Sequence, residues 1–371
     1  VIARDGAGET PLQHLLPLRR ALLAWFRAEA RDLPWRRTMD PYRIWLSEIM
    51  LQQTRVDQGL PYYERFLAAF PDVFALARAH EDQVLKLWEG LGYYTRARNL
   101  HRTAQKIVEE YAGEFPRKAE LLIMLPGIGR YTAGAIASIA FGERVPVLDG
   151  NVKRVLARLF NIAQSIDDVE TEKQLWDLAG RLVPQKDPGD FNQAMMELGA
   201  RICTPKKADC GGCPVARWCL ARAADTVAAR PMRSAKKATP HKEIVVAVIE
   251  RAGRYLIGRR PPEGLLGGLW EFPGGKVQPG ETHQQALARE CKEELGIVVK
   301  PGGLIATVQH AYTHFRVTLN VYRCAIQKGT PKAKVHTELR WVPPEDFSNF
   351  AFPKANHKFL GQLRAASDEL F

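Results

Sequence analysis

At 371 residues the chain has room for two or three domains of roughly 150 residues each. Its composition, 46% apolar and 25% charged, excludes wholesale disorder and fibrous repeats. No apolar run reaches the roughly 18 residues of a membrane span, and the opening VIARDGAGETPLQHLL lacks the basic head and apolar core of a secretory signal. Lysine and arginine exceed aspartate and glutamate by 53 to 41, a net charge of +12, which suits a polyanionic partner, nucleic acid ahead of an anionic membrane.

From Leu15 to about Leu220 apolar residues recur at three and four, as in Leu18, Leu22, Leu23 and Phe26, the spacing of one helix face. The same text predicts helices over Tyr42–Gln52, Pro61–Ala69, Glu81–Trp88, Arg96–Tyr111, Lys118–Leu122, Tyr131–Phe141, Val152–Phe160, Glu170–Leu182 and Asp190–Ile202, with prolines between them as breakers. Glu48 lies in IWLSEIMLQQTR, among Ile44, Trp45, Ile49 and Leu51. Apolar surroundings disfavour a carboxylate's charged form, so Glu48 can hold a proton near neutral pH and act as an acid; the plainer reading is an exposed helix glutamate. Leu125–Gly134 reads LPGIGRYTAG. Gly127 and Gly129 permit a tight turn and close backbone approach, and the amides opening the next helix attract phosphate; the reading is a helix-hairpin-helix grip on a nucleic-acid backbone, or an ordinary turn between helices. Asp149, in VPVLDGNVKRV just before a helix, is placed as an N-cap, a role compatible with catalysis.

Of the six cysteines, Cys203, Cys210, Cys213 and Cys219 crowd together at the spacing Cys-x6-Cys-x2-Cys-x5-Cys, leaving Cys291 and Cys324. Such crowding indicates a metal centre in a reducing, intracellular setting rather than a disulfide framework; zinc and an iron–sulfur cubane are both chemically open. Lys206, Lys207 and Arg217 lie in or beside this loop. Residues 223–242 are small, basic and interrupted by proline, the texture of a linker. Beyond them EIVVAVIE, RYLIGRR, Leu304–Val308, Arg316–Ile326 and Glu338–Val342 read as strands, interrupted by one helix, Thr282–Leu295. An all-α domain is thus followed by a smaller α+β domain. Residues 275–297, GKVQPGETHQQALARECKEELGI, fill every slot of the Nudix box, G-x5-E-x7-R-E-U-x-E-E-x-G-U. Glu290, Glu293 and Glu294 fall on one helix face, where three carboxylates suit Mg²⁺ or Mn²⁺ bridging a diphosphate, with Arg289 to orient them.

Taken together, WLSEIMLQQTR, WEGLGYYTRARNLH, LPGIGRYTAG, VLDGNVKRV, FNQAMMELGARIC and the cysteine spacing, which is similar to the [4Fe–4S] loop of the endonuclease III superfamily, resemble MutY-type adenine DNA glycosylases from about Leu15 to Leu220. The resemblance implies a helical glycosylase domain over 1–222 (a six-helix barrel module at about 35–145 and an iron–sulfur module at about 12–34 plus 146–222), the linker at 223–242 and a MutT-like Nudix domain over 243–371. It implies a monomeric enzyme of base excision repair, cytoplasmic and associated with a bacterial nucleoid or otherwise intracellular, acting on duplex DNA with adenine opposite 8-oxoguanine or guanine. Carried over by position, Glu48 protonates the departing adenine and Asp149 stabilises the positive charge at the sugar, through charge or a transient covalent bond, the logic of glycoside hydrolysis. Tyr131 and Asn151 orient the two acids. Arg31, Leu33, Trp35, Arg36 and Gln193 line the adenine pocket, and Gln53 and Tyr93 wedge into the duplex, since the base must leave the stack to be attacked.

The [4Fe–4S] cluster would sit on Cys203, Cys210, Cys213 and Cys219. Tyr131 stands where strand-cutting relatives have lysine, so no Schiff base forms there and the enzyme is expected to be monofunctional. The family's lesion-reading Phe-Ser-His loop corresponds to Tyr312, Thr313 and His314. The complete Nudix box departs from the degraded box usual in the family and leaves two readings, a retained scaffold whose acidic helix is merely solvated or a working nucleotide pyrophosphatase. The competing readings are an endonuclease III-type glycosylase/lyase, a Nudix hydrolase merely tethered to DNA, and a non-catalytic lesion sensor.

Overall fold

A computed structural model describes residues 10–234, 239–312 and 314–368. The helices are α1 (Leu15–Glu29), α2 (Pro41–Leu51), α3 (Val56–Ala69), α4 (Val73–Arg78), α5 (Glu81–Trp88), α6 (Thr95–Tyr111), α7 (Ala119–Leu122), α8 (Arg130–Phe141), α9 (Gly150–Leu159), α10 (Val169–Leu182), α11 (Pro188–Arg201), α12 (Leu220–Ala223), α13 (His283–Leu295) and α14 (His357–Asp368). The strands are β1 (His241–Arg251), β2 (Arg254–Arg259), β3 (Trp270–Glu271), β4 (Gly274–Lys276), β5 (Val298–Ala311), β6 (Arg316–Lys328) and β7 (Glu338–Val342). The chain divides into two compact units, one formed by residues 1–56, 72–77 and 102–236, the other by 57–71, 78–101 and 237–371.

The first unit is built around α8. Its residues Thr132–Ile139 are all buried, as expected of a helix apolar on every side. The small side chains let α2 and α11 pack on it, and α11 also packs on α1 and α9. Asp40 caps α2 by accepting the Tyr42 amide at 2.9 Å, which sets the direction in which Ile44–Met50 enter the core. Residues 227–234, within the stretch read as linker, are strapped to this unit. The Arg158 guanidinium donates to the carbonyls of Val227 and Arg230 at 3.1 and 3.0 Å, and the Ile166 amide donates to Met232 O at 3.0 Å.

In the second unit the sheet runs β3-β2-β1-β6-β5, with β4 also pairing with β1 and β7 with β2. β1 and β6 are parallel, Val246 opposite Val321. β1 is buried on both faces, and its side chains alternate as the strand period requires. Val246 and Val248 join one core with Phe272, Phe347, Phe352 and Phe359 of the α14 side. Val245, Ala247 and Ile249 join another with Ala286, Leu287, Cys291 and Leu295 of α13. α13 opens with a capping box from Thr282 and Gln285 and stops at Gly296 in the left-handed region (φ 70°). The C-terminal part therefore carries a second helix, α14, beyond the single one expected: most of its exposed face is polar, and only the sheet supplies the apolar partner for Phe359, Leu360 and Leu363. α3 and α5 pack within this same unit through Phe66 and Trp88, whose rings meet edge to face at 6.1 Å.

Candidate active site

Glu48 sits near the end of α2 and is 8% exposed. Burial pushes its carboxyl up to about 7, and the neighbouring Asp149 charge adds to this, against the hydrogen bond from Tyr131 and the charge of Arg36. The Tyr131 hydroxyl, in the first turn of α8, donates to Glu48 Oε2 and its oxygen lies 3.2 Å from Met196 Sδ on α11. Burial, followed by the Glu48 and Asp149 charges, also holds the Tyr131 phenol above its ordinary value, so it stays a donor.

Asp149 caps α9. Its Oδ1 accepts the Val152 amide at 2.7 Å and its Oδ2 accepts Asn151 Nδ2 at 2.9 Å. Desolvation nevertheless raises its pKa, against those bonds and the Arg154 charge. Asn151 is held in turn: Arg154 donates to Asn151 Oδ1 at 2.9 Å, to Gly199 O at 2.7 Å and to Cys203 O at 2.7 Å. This fixes which way the Asn151 amide faces, and hence that its NH₂ meets Asp149. A Cβ on Gly199 would lie 2.6 Å from Asn151 Cβ, so α11 approaches α9 this closely only because position 199 has no side chain.

Two of the residues expected at the adenine pocket, Arg31 and Arg36, meet on a carboxylate to which the sequence motifs assign no role. Glu197, 1% exposed on α11, accepts Arg31 Nε and Nη2 at 2.9 and 2.6 Å and Arg36 Nη2 at 2.8 Å. Burial raises its pKa, yet the hydrogen bonds and charges of the two arginines outweigh that and bring it to about 2. Leu33 and Trp35 are buried beside the arginines, 6% and 7% exposed. Gln193 is half-buried, one turn before Glu197 on the same face of α11. The signal that could have flagged Glu197 is a glutamate at an apolar-periodic position in FNQAMMELGARIC, facing two arginines some 160 residues earlier.

In the hairpin, Leu125 and Ile128 are buried and Pro126 O accepts the Thr103 hydroxyl at 2.7 Å. These anchors leave Gly127 (φ 74°) and Gly129, the N-cap of α8, exposed. The two expected wedge residues, Gln53 and Tyr93, both take left-handed backbone angles, φ 57° and 50°, a conformation non-glycine residues adopt at a cost. Gln53 is exposed, and Tyr93 lies edge to face with His314, ring centroids 6.3 Å apart. His314 is exposed at the tip of a turn closed by the Tyr312 amide donating to Phe315 O at 2.9 Å. Tyr312 is half-buried and stacked on Phe315 at 4.8 Å, packed onto the sheet core. Thr313 lies outside the described residues.

Cys203, Cys210, Cys213 and Cys219 line one pocket, with Arg158, Arg222 and Asp209 among its other walls. Arg158 donates to Cys203 Sγ at 3.3 Å, and burial, with the neighbouring thiols adding, pushes Cys213 up to about 12. Thiols this crowded and dry ionise together only around a cation, so the donor set fits a thiolate-bound centre. Lys206, Lys207 and Arg217 are exposed around it.

The Nudix carboxylates are arranged differently. Arg289 donates to Glu290 at 2.8 Å, to Glu293 at 3.2 Å and to Glu281 at 2.6 Å, while Glu294 accepts the Gly274 amide at 3.0 Å. Burial pushes Glu294 up to about 7, with His336 acting against it and Glu271 adding to it. Among the described residues no three His, Cys, Asp or Glu side chains converge on a point that would hold a single ion. Arg289 thus lies between Glu290 and Glu293 and ties the two carboxylates together, the orienting position expected of it.

Two acids on separate elements, a glycine-bearing hairpin between helices and a four-cysteine pocket, followed by a strand-rich domain, define a base-excision DNA glycosylase of the helix-hairpin-helix class. Residues 46–181 match the pattern of the HhH-GPD superfamily of base excision DNA repair proteins, and residues 244–362 match a NUDIX domain. The chain is 38% identical to the rat adenine DNA glycosylase over 394 residues (92% of this chain, 76% of the relative). It is 39% identical to that of Buchnera aphidicola subsp. Acyrthosiphon pisum over 344 residues (92% and 96%). Among solved structures a thermostable thymine-DNA glycosylase superposes with TM-score 0.53 at 30% identity, covering 58% of this chain and 99% of the other. The chain belongs to the MutY-type adenine DNA glycosylases, enzymes of base excision repair that act on DNA, and among the described residues no helix is long and apolar enough to cross a membrane.

Proposed function

We propose that the enzyme, as a monomer, excises adenine paired with 8-oxoguanine, and with lower preference adenine paired with guanine, by monofunctional hydrolysis of the N-glycosidic bond. The observation that carries this reading is Glu48: a buried carboxyl held by Tyr131, kept protonated near neutral pH by burial and by the Asp149 charge. Glu48 gives its proton to the adenine as the bond to C1′ lengthens. Asp149, fixed by Asn151 and the Val152 amide, faces the cation left on the sugar and stabilises it by charge. Glu197 holds Arg31 and Arg36 rigid, so their remaining N–H groups and the flanking Leu33, Trp35 and Gln193 present a preformed pocket to the flipped base. Gln53 and Tyr93 fill the gap left in the stack. The exposed amides after Gly127 and Gly129 take the backbone phosphates. Water then adds through its oxygen to C1′ and loses a proton, and because Tyr131 offers no amine to compete with it the product is an abasic site.

Cys203, Cys210, Cys213 and Cys219 would hold a [4Fe–4S] cluster; when bound, it cross-links the loop and orders its basic residues for phosphate. His314, at the tip of the turn based on Tyr312 and Phe315, reads the 8-oxoguanine. No hydrolytic step is assigned to the Nudix box.

The test is single-turnover adenine release from duplexes with adenine opposite 8-oxoguanine or guanine. Glu48→Gln and Asp149→Asn should each slow release by about 10³-fold, within the span that general acid catalysis and charge stabilisation supply. Wild-type rates in both variants overturn the assignment.

A further inference from the structure

Tyr93 stands in a short, contorted loop. Between the last residue of α5 and the first of α6, Gly90, Gly92 and Tyr93 all have positive φ, 98°, 74° and 50°. A segment so bent holds its shape only when its surroundings over-determine it, and here many of its polar groups are tied. Tyr62 donates to Glu89 O at 3.0 Å, Trp88 Nε1 to Gly92 O at 3.1 Å, and the Gly90 amide to the Tyr94 hydroxyl at 3.3 Å.

The loop begins at Glu89, whose side chain meets Lys86 of its own segment and reaches on to residues 352 and 357. Glu89 Oε1 accepts the Phe352 amide at 2.8 Å and His357 Nε2 at 2.9 Å, and Oε2 accepts Lys86 Nζ at 2.7 Å, which also donates to Phe350 O at 3.0 Å. Burial opposes the charge on this carboxylate, but the three donors outweigh it and lower the pKa. The start of α5 is held as well: Arg259 of β2 pairs with Asp82 at 2.8 Å and Glu81 at 3.2 Å. Both ends of α5 are therefore fastened to the strand-rich domain. Four residues beyond the Glu89 fastening, the Tyr93 ring meets His314 edge to face.

We propose that Glu89 is a positioning residue for base discrimination: by pinning the loop start to residues 350–357 it sets Tyr93 against the turn that carries His314. The wedge and the lesion contact then arrive at the duplex as one preset unit. A guanine that lacks the lesion and an 8-oxoguanine that bears it are told apart only when both side chains are in register. This rests on the reading of Tyr93 as wedge and His314 as lesion contact.

The experiment uses the full chain as wild type, Glu89→Ala, Glu89→Gln and His314→Ala. It compares single-turnover release of adenine opposite 8-oxoguanine with release opposite guanine, and follows hydrogen exchange across residues 88–96. Losing charge-assisted bonds to a buried carboxylate should lower the ratio of the two rates about tenfold in Glu89→Ala and speed exchange in the loop. Glu89→Gln, which keeps an acceptor for the Phe352 amide, should recover part of both. Equal slowing on the two duplexes, as a merely structural role predicts, overturns the proposal. So does an unchanged ratio in Glu89→Ala when His314→Ala lowers it. An unchanged ratio in His314→Ala removes the lesion role of His314 on which the proposal rests and overturns the paired arrangement with it.

Discussion

Two carboxylate clusters occupy this chain, and each contains a glutamate that burial pushes up to about 7, Glu48 in the helical unit and Glu294 beside the sheet. Their surroundings differ. Glu48 and Asp149 come from α2 and the cap of α9, so their relation is set by tertiary packing; neither is bridged to a cation, and each has an orienting partner of its own, Tyr131 and Asn151. Glu290, Glu293 and Glu294 come from one turn of α13, and Arg289 between them neutralises two. Desolvated acids without a cationic partner keep chemical potential for proton transfer and charge stabilisation. Acids stitched to an arginine on their own helix are held in a shape, with less left to offer a ligand.

The comparison can be broken or sharpened in several ways. Beyond the two acids themselves, the largest effect is expected at Gly199. Gly199→Ala drives a methyl into Asn151 and displaces the residue that orients Asp149; adenine release should fall about 10²-fold, as a misplacement of about 1 Å costs, with helical circular dichroism unchanged. Wild-type release in this variant would show that Asp149 does not depend on its Asn151 brace.

Next comes pH. Glu48 acts as an acid only while protonated and its pKa is raised to about 7, so release should be steady below that value and decline about tenfold per unit above it. Asp149 must be ionised, and its own pKa is also raised, so an acid limb should appear above the ordinary aspartate range. Removing the Asp149 charge in Asp149→Asn should shift the alkaline limb of the residual activity downward.

The smallest effects are on stability. A glutamate whose folded pKa is raised from 4.5 to about 7 holds its proton more tightly folded than unfolded, so its contribution declines as pH climbs from the unfolded to the folded pKa. At pH 8 Glu48→Gln should therefore stabilise the protein by about 2–3 kcal/mol, read as a higher denaturant midpoint. Glu293, with 56% of its side chain exposed, should register less than about 0.5 kcal/mol in Glu293→Gln. Pyrophosphate release from nucleoside triphosphates with Mg²⁺, abolished by Glu293→Gln, would break the contrast between the clusters outright.

The order of elements was legible because it is local. The three-and-four spacing marked α1 through α11 with few lapses, Asp149 could be seen as a cap from one turn of text, and β1 and β2 were marked by alternation around Gly253. α4 was missed because six residues of VFALAR carry too little periodicity, and β3 and β4 because strands of two and three residues exist only through the β2 and β1 they pair with. The candidate acids were legible through family motifs. Their state was not: nothing in IWLSEIMLQQTR says that the carboxyl of Glu48 meets a tyrosine 83 residues later.

The residue order alone therefore settled most of the helices and the longer strands, where the thiols crowd, and which family the chain resembles, since these depend on neighbours a few positions apart. Tertiary packing alone decided that Glu197 clamps Arg31 and Arg36, that Arg154 ties Asn151 to the cysteine loop, that Tyr312 turns inward, and that Glu89 reaches the end of the chain. A charge's partners and dielectric surroundings are fixed by what folds against it, and for each of these groups that partner lies many turns of chain away.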